Sequence, residues 1–325
     1  MQTTLPIAVA IGDPHGIGPE IAVKAAAAFA AQGGPRVILV GDRFIIEHYA
    51  SLCAPGLPLR ETRADEAMQG ACIEYLPVEA MTPEAFAPGR IEAVAGAAMV
   101  AYAAAAVDFA RAGKAHAVVG CPHNETAVNR AGIPFTGYPG LLARLTDVPE
   151  ESVFMMLVGG GLRILHITLH ERLADALNRI TPELVEAGVH ACARALATLG
   201  IEKPRIGVFG INPHAGEGGL FGDDDERINV PTVAKLRAQG LDVIGPTGAD
   251  VMLGNGGCDA YIAMIHDQGH IPVKLMAGRH ASALSIGSGV LFSSTGHGSA
   301  FDIAGKGVAD PEGVIRTVRL LAGQN

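Results

Sequence analysis

Three histidines stand beside turn residues at the ends of apolar runs: His170 in Thr168-Leu169-His170-Glu171, His214 in Asn212-Pro213-His214-Ala215-Gly216, and His266 in His266-Asp267-Gln268-Gly269-His270. Neutral imidazole is the commonest side-chain ligand for zinc and related ions, and three such ligands leave a position open for substrate, as a catalytic centre requires. The three are far apart in the chain, so spacing alone equally suits three unrelated polar loop residues. Lys274 lies shortly after His266. Near a metal and partly withdrawn from water, its ammonium would give up a proton more easily and serve proton transfer; the other reading is an ordinary surface lysine. Asp250 and Asp267 sit at element ends, where a carboxylate either orients a ligand imidazole or caps a helix. His166 lies within a strand pattern and reads as a core or supporting residue, whereas His48, His116, His190 and His280 read as surface residues.

Two glycine-rich stretches complete the inventory. Gly12-Asp13-Pro14-His15-Gly16-Ile17-Gly18-Pro19-Glu20 follows an apolar run, and Pro19 is suited to open the helix behind it. It is either a ligand-approaching turn or a plain tight turn, and it does not match the GxGxxG dinucleotide fingerprint. His297 to Gly307 surrounds one His and one Asp with small residues, a loop able to pass under a flat polar ligand such as adenosine or simply to lead into the last helix.

These residues need elements to hold them, and the pattern is one of short β-branched runs alternating with longer helical stretches. Strands are expected at 6–11, 37–40, 117–119, 154–158, 162–168, 205–209, 259–264 and 283–286. Helices are expected at 19–31, after a capping Asp42, at 90–112 with Gly113 as the stop, and at 182–199, 229–238 and 311–321. Such alternation with short connections gives an α/β fold with mostly parallel strands, in which ligands collect at the carboxyl ends of strands. Hydrophobic residues are 49% but aromatics only 5%, with no tryptophan, so the apolar mass is aliphatic, as helices packed on buried parallel strands require. That balance excludes intrinsic disorder. A net charge of −9 without a basic run argues against nucleic acid or an anionic membrane surface as partner. Five scattered cysteines, never spaced CxxC, suit neither a disulfide framework nor a thiolate metal site. No basic-then-apolar leader is visible, and the Ala93–Val107 region is too short and alanine-rich for a membrane span. A cytoplasmic, soluble protein is expected.

The pair Gly16–Glu20 ("GIGPE") and His297–Gly307 ("HGSAFDIAGKG") resembles the isocitrate/isopropylmalate dehydrogenase superfamily. With Gly12–Ile21, Ala131–Gly137 ("AGIPFTG"), Gly210–Gly219 ("GINPHAGEGG") and His266–Lys274 ("HDQGHIPVK"), the chain more closely resembles the 4-hydroxythreonine-4-phosphate dehydrogenase (PdxA) family from about Ile7 to Val314. This resemblance implies two α/β/α domains, residues 1–133 with 288–325 and residues 134–287, with the active site in their cleft and the dimer interface on the central domain. It implies a homodimer with a shared active site, a divalent metal on His170, His214 and His266 with one ligand lent by the neighbouring subunit, and Lys274 as a substrate-binding and acid/base residue. Asp250 and Asp267 would assist it. The adenosine half of NAD, or of NADP, would lie on Gly298, Ala300, Asp302, Gly305 and Lys306. An all-imidazole ligand set favours zinc over magnesium.

Departures from the family pattern bear on substrate. Phosphate-handling members carry His-Thr after the "FTG" glycine, where this chain has Tyr138-Pro139, and an Asn and an Arg where this chain has Ala283 and Phe292. A phosphate dianion needs charge-assisted donors, and losing them costs several kcal/mol. Tyr138 and Phe292 are expected instead to offer flat faces to a ring, with His123 also binding substrate. Cys121–Ala127, Phe154–Glu171, Phe209–Gly222 and Ala281–Gly287 look like the terephthalate cis-dihydrodiol dehydrogenase (TphB) group. The expectation is therefore oxidative decarboxylation of 1,2-dihydroxy-3,5-cyclohexadiene-1,4-dicarboxylate to protocatechuate, the alternative being a 4-hydroxythreonine-4-phosphate or phosphothreonate dehydrogenase. A three-histidine metal hydrolase is a third reading, one that leaves the His297–Gly307 loop without a purpose. For the far carboxylate of a ring substrate, Arg163, Arg279, His123, Ser293 and Ser294 are candidates.

Overall fold

The computed structural model describes residues 5–62, 70–135, 137–278 and 281–324; Arg279 and His280 lie outside them. The chain divides into two compact units, Met1–Leu145 with Gly289–Asn325, and Thr146–Ser288.

In the first unit the elements run β1 (Ile7–Ala10), α1 (Gly18–Gln32), β2 (Val37–Gly41), α2 (Arg43–Cys53), β3 (Leu59–Glu61), β4 (Ile73–Pro77), α3 (Ala93–Arg111), β5 (Ala117–Gly120), α4 (Glu125–Arg130) and α5 (Tyr138–Thr146), the last residue of α5 falling just beyond the division. After the second unit the chain returns with β12 (Phe292–Ser294) and α11 (Glu312–Leu321). The sheet order is β3-β4-β2-β1-β5-β12, and the five pairings are all parallel. Strands β1, β2 and β5 are buried at every residue, which explains why they read as unbroken aliphatic runs rather than as alternating ones. One helix group brings α1 together with α2 and α11, and another pairs α3 with α4. Asp42 occupies the N-cap position of α2, but it does not cap. Its carboxylate accepts the Tyr102 hydroxyl at 2.5 Å and the Ala80 amide at 3.1 Å, tying α2 to α3 and to the segment after β4.

The second unit contains β6 (Phe154–Gly159), β7 (Leu162–His166), α6 (Leu173–Arg179), α7 (Pro182–Thr198), β8 (Arg205–Phe209), α8 (Val230–Ala238), β9 (Asp242–Thr247), α9 (Ala249–Asn255), β10 (Ala260–Ala263), α10 (His266–Ala277) and β11 (Ser282–Ile286). Its order is β11-β6-β7-β10-β8-β9, parallel from β7 to β9 and antiparallel at β11-β6 and β6-β7. The alternation of side chains along β7 makes three layers. Leu165 and Ile167 face Gly188 of α7, while Ile164 and His166 face Gly269 of α10. The α10 side is filled by Leu157, Ile164, Phe209, Met252, Tyr261, Ala263 and Val273.

Both units thus have the expected α/β character. The first crossing between units falls after Leu145 rather than after residue 133. Tyr138 of α5 donates its hydroxyl to Cys121 O at 2.9 Å and lies 4.6 Å from Phe292, so α5 is held by the first unit.

Candidate metal centre and cofactor loop

Two parallel strands end where the histidines begin. Beyond β7 the chain stays beside the end of β10: Ile167 N–H donates to Ala263 O at 2.8 Å and the Thr168 hydroxyl to Met264 O at 2.7 Å. This carries His170 to the start of α10, where His266 is the first helical residue. Gln268 fixes that start, accepting the Met264 and Ile265 amides at 2.9 and 3.3 Å while donating to Gly210 O at 2.8 Å. His170 and His266 line a pocket of about 340 Å³ with Thr168, Glu171, Leu173 and Asp267.

The structure brings His170 and His266 together as expected and adds His270, a ring nitrogen from each lying within 4.8 Å of the others. Their ring centroids are 5.4 Å apart for His170 and His266, and His270 stacks on His266 at 3.6 Å and 15°. His270 is four residues after His266, hence on the same helical face, a spacing that has meaning only once this stretch is seen to be helix rather than turn. Asp267, though highly exposed, accepts from His266 Nδ1 at 2.8 Å. His166 is buried and packs where a side chain at position 269 would stand, which is why Gly269 is required. Its Nδ1 donates to Met155 O at 3.3 Å and its Nε2 accepts from His270 Nδ1 at 3.0 Å. Burial pushes His166 down to about 3 and His270 down to about 4, so both rings are neutral at physiological pH. Neutral imidazole suits a borderline divalent metal such as zinc.

His214 does not join this cluster within the chain. It is exposed, its ring 6.0 Å from Phe221, in the turn Pro213–Gly216 that follows β8. His214, Ala215 and Glu217 all have positive φ (53°, 53° and 46°), an uncommon run for residues with side chains, each costing about 1–3 kcal/mol. Buried Asp225 opposes that strain, accepting from Ile211 N–H and Asn212 N–H at 2.9 Å and from Asn229 Nδ2 at 2.8 Å. Asp250 is exposed at the start of α9, its carboxylate beside Gly248. Lys274 is exposed on α10, four residues beyond His270, so the expected desolvation of its ammonium is not provided by this chain.

The first unit carries the cofactor-loop candidates. Residues 297–307 lie on the turn after β1: Ile17 N–H donates to Ser299 O at 2.9 Å, and Ser299 Oγ donates to His123 O at 2.9 Å. Fully buried Glu20 accepts from Gly307 N–H at 3.1 Å and Ala309 N–H at 2.7 Å, while Lys24 joins Glu20 at 2.8 Å and donates to Gly307 O and Ala309 O. The two glycine-rich motifs are therefore one structure. Gly298, Asp302 and Lys306 are exposed along it, and Ala300 (φ 40°) and Gly305 (φ 76°) are half-buried turning points. His297 is seated over Gly313, and burial lowers its pKa.

Phe292 and Tyr138 require correction. Phe292 is 0% exposed and Tyr138 3%, and the two pack on each other over Gly120, where any side chain would collide with both rings. They form a core stack rather than open faces for a ring substrate. Half-buried His123 sits edge-on to Tyr138 at 4.8 Å, and burial pushes its pKa down. Among the carboxylate candidates, Ser293 is buried, Ser294 is half-buried, and Arg163 reaches back to Asp259 O at 3.3 Å, at the end of the sheet opposite the histidines. His116, expected at the surface, is half-buried.

The profile of the family described as "Pyridoxal phosphate biosynthetic protein PdxA" matches residues 34–321. The chain is 48% identical over 318 residues to a 1,2-dihydroxy-3,5-cyclohexadiene-1,4-dicarboxylate dehydrogenase of a Comamonas species, covering 98% of this chain and 97% of that protein. It is 40% identical over 327 residues to the D-threonate 4-phosphate dehydrogenase of Cupriavidus necator, with 98% and 97% covered. Among solved structures, a terephthalate 1,2-cis-dihydrodiol dehydrogenase from Burkholderia xenovorans is 51% identical with a TM-score of 0.82, 98% of each chain being covered. A 4-hydroxythreonine-4-phosphate dehydrogenase from Burkholderia phymatum is 37% identical with a TM-score of 0.89 over 99% of each. With a profile match over most of its length and near full-length relatives at these identities, the chain belongs to the PdxA family.

Proposed function

We propose that this protein is a metal- and nicotinamide-dependent dehydrogenase that converts 1,2-dihydroxy-3,5-cyclohexadiene-1,4-dicarboxylate to protocatechuate and carbon dioxide. The observation that carries this reading is the 48% identity, over nearly the full length of both chains, to a dehydrogenase named for that substrate, against 40% to one named for a phosphorylated acid. The buried Phe292 supports it, since an apolar core side chain stands where phosphate-handling members place an arginine.

When bound, a divalent metal, zinc by the chemistry of the donors, supplies Lewis-acid polarisation, and NAD supplies the hydride acceptor. His170, His214 and His266 are the residues assigned to the metal, with Asp267 holding the tautomer of His266 through Nδ1. Lys274 takes the proton of the secondary hydroxyl at C2 as the C2 hydride leaves, giving a ketone β to the C1 carboxylate. Loss of carbon dioxide from C1 then leaves an enol whose ring is aromatic, so the residues need mainly to position and polarise. Asp250 acts with Lys274 in handling that proton, and His123 contributes to the substrate side. The loop of Gly298, Ala300, Asp302, Gly305 and Lys306 carries the adenosine half of NAD, pinned from behind by Glu20 and Lys24.

We read the active form as a homodimer in which His214 serves the neighbouring copy. Its exposed, strained turn lies next to Leu220 (73% exposed) and Phe221, and α10 exposes Leu275 (80%) and Met276 (67%) beside Lys274. Clustered apolar exposure of this kind suits a protein contact, and closure over Lys274 would supply the desolvation its role needs. The test is purified protein with NAD, zinc and the cis-dihydrodiol, following NADH and protocatechuate. Equal amounts of both products are expected; NADH without protocatechuate, or neither, contradicts the assignment.

A further inference from the structure

We propose that His270 is a metal ligand of this centre, presented by His166 through its Nδ1, so that α10 grips the ion with an i, i+4 histidine pair. The inference rests on the divalent-metal reading above and adds a ligand that the three-histidine assignment lacks.

Tautomers decide which ring nitrogens are left for a metal. His166 gives its Nδ1 proton to Met155 O, so in the neutral ring Nε2 carries only a lone pair. That lone pair faces His270 Nδ1 at 3.0 Å, which must therefore carry the proton. His270 Nε2 is left as a bare acceptor. His266 reaches the same state by another route, its Nδ1 donating to Asp267 at 2.8 Å. The two rings are stacked at 3.6 Å and 15°, and His170 lies at their edge, with a ring nitrogen from each of the three within 4.8 Å of the others. Two imidazoles four residues apart on one helix, both oriented by hydrogen bonds behind them, form the chelating arrangement that metals select.

The positions behind His270 also fit this role better than they fit plain packing. A core side chain at position 269 would fill the space beside β7, but Gly269 leaves it to the His166 ring. His166 is thus held on one side by the Met155 carbonyl, on another by α10, and has His270 as its single polar outlet among the hydrogen bonds described. A leucine at 166 would pack equally well and would orient nothing.

Metal binding by the full-length protein, stripped by chelator and titrated with Co(II) and Zn(II), tests this apart from turnover. The d–d spectrum of the Co(II) form reports the ligand set, and calorimetry reports affinity. His270→Leu is expected to weaken binding at least 10-fold to 100-fold and change the Co(II) spectrum. His166→Leu is expected to weaken it about 10-fold, with partial recovery in His166→Gln, whose carbonyl can accept the His270 proton. His270→Gln, a polar replacement, guards against a folding defect, which thermal melting of the metal-free proteins would reveal. Wild-type affinity and spectrum in both His270 variants, with binding lost in His266→Ala and His214→Ala, overturns the inference and leaves the three-histidine centre standing. Absence of binding by the wild type overturns both.

Discussion

The histidine centre and the cofactor loop are built on opposite plans. The 297–307 loop is completed within one chain: a buried carboxylate, Glu20, accepts from the amides of Gly307 and, just beyond the loop, Ala309, and Lys24 donates to the carbonyls of the same two residues, so its shape is set before any ligand arrives. At the histidine centre only the inner parts, His166 and His270, are buried, while His170, His214, Asp250 and Lys274 are exposed among large exposed apolar side chains. The contrast assigns different tasks. A dinucleotide that binds and leaves once per turnover, as proposed for this loop, would be served by a preformed cradle. On the proposed homodimer reading, a centre that has to desolvate its lysine and accept a histidine from a second copy is unfinished in one chain.

If the two regions are independent, each breaks without the other. His266→Ala is expected to lower kcat/KM about 10³-fold or more, because the metal's contribution amounts to several kcal/mol, while NADH binding measured by fluorescence changes less than about twofold. An equal loss of NADH binding would merge the two regions. Next in size, Asp225→Ala unties Ile211 and Asn212 and releases the strained His214 turn. It is expected to cost about 3 kcal/mol of stability by denaturant unfolding, and about 10²-fold in activity, again with NADH binding intact. On the other side, Glu20→Gln is expected to raise KM for NAD about tenfold with kcat within about threefold, while Zn(II) affinity stays unchanged.

The last effect concerns pH and is read in stability alone. Asp13 is fully buried after β1, accepting the His15 amide at 2.9 Å, and burial pushes it up to about 6. Its folded pKa exceeds its unfolded value near 4, so its ionisation favours unfolding. Stability from this group is intact below pH 4, falls as pH rises from 4 to 6, and is about 2–3 kcal/mol lower above that. Asp13→Asn is expected to abolish that slope in thermal melts across pH 4 to 7; an unchanged slope would place it elsewhere.

The legible parts of the fold were those with one strong local signal. The aliphatic strands β1, β2, β5 and β8 and helices α1, α3 and α7 declare themselves by runs and spacing. The 90–112 helix is shorter at its start, beginning at Ala93. Others are hidden by their own residues: β9 contains Gly245-Pro246, α5 opens Tyr138-Pro139-Gly140, and α10 carries Gly269 and Pro272, so each reads as turn. Missing α10 concealed His270, since a four-residue spacing means nothing in a loop. Phe292 and Tyr138 were visible as aromatic residues, but depth is set by what packs over Gly120, and no local pattern encodes that. Likewise Glu20 reads as helix-start decoration until Gly307 and Ala309, nearly the whole chain away, come to rest on it.

Substrate choice is decided by a ratio of rates. With one enzyme preparation, zinc and saturating NAD, initial rates of NADH formation are to be compared for the cis-dihydrodiol dicarboxylate and for D-threonate 4-phosphate. A kcat/KM at least about 10³-fold higher for the ring substrate is expected, the scale set by several kcal/mol of missing phosphate recognition. Comparable values, or a preference for the phosphorylated acid, would contradict it.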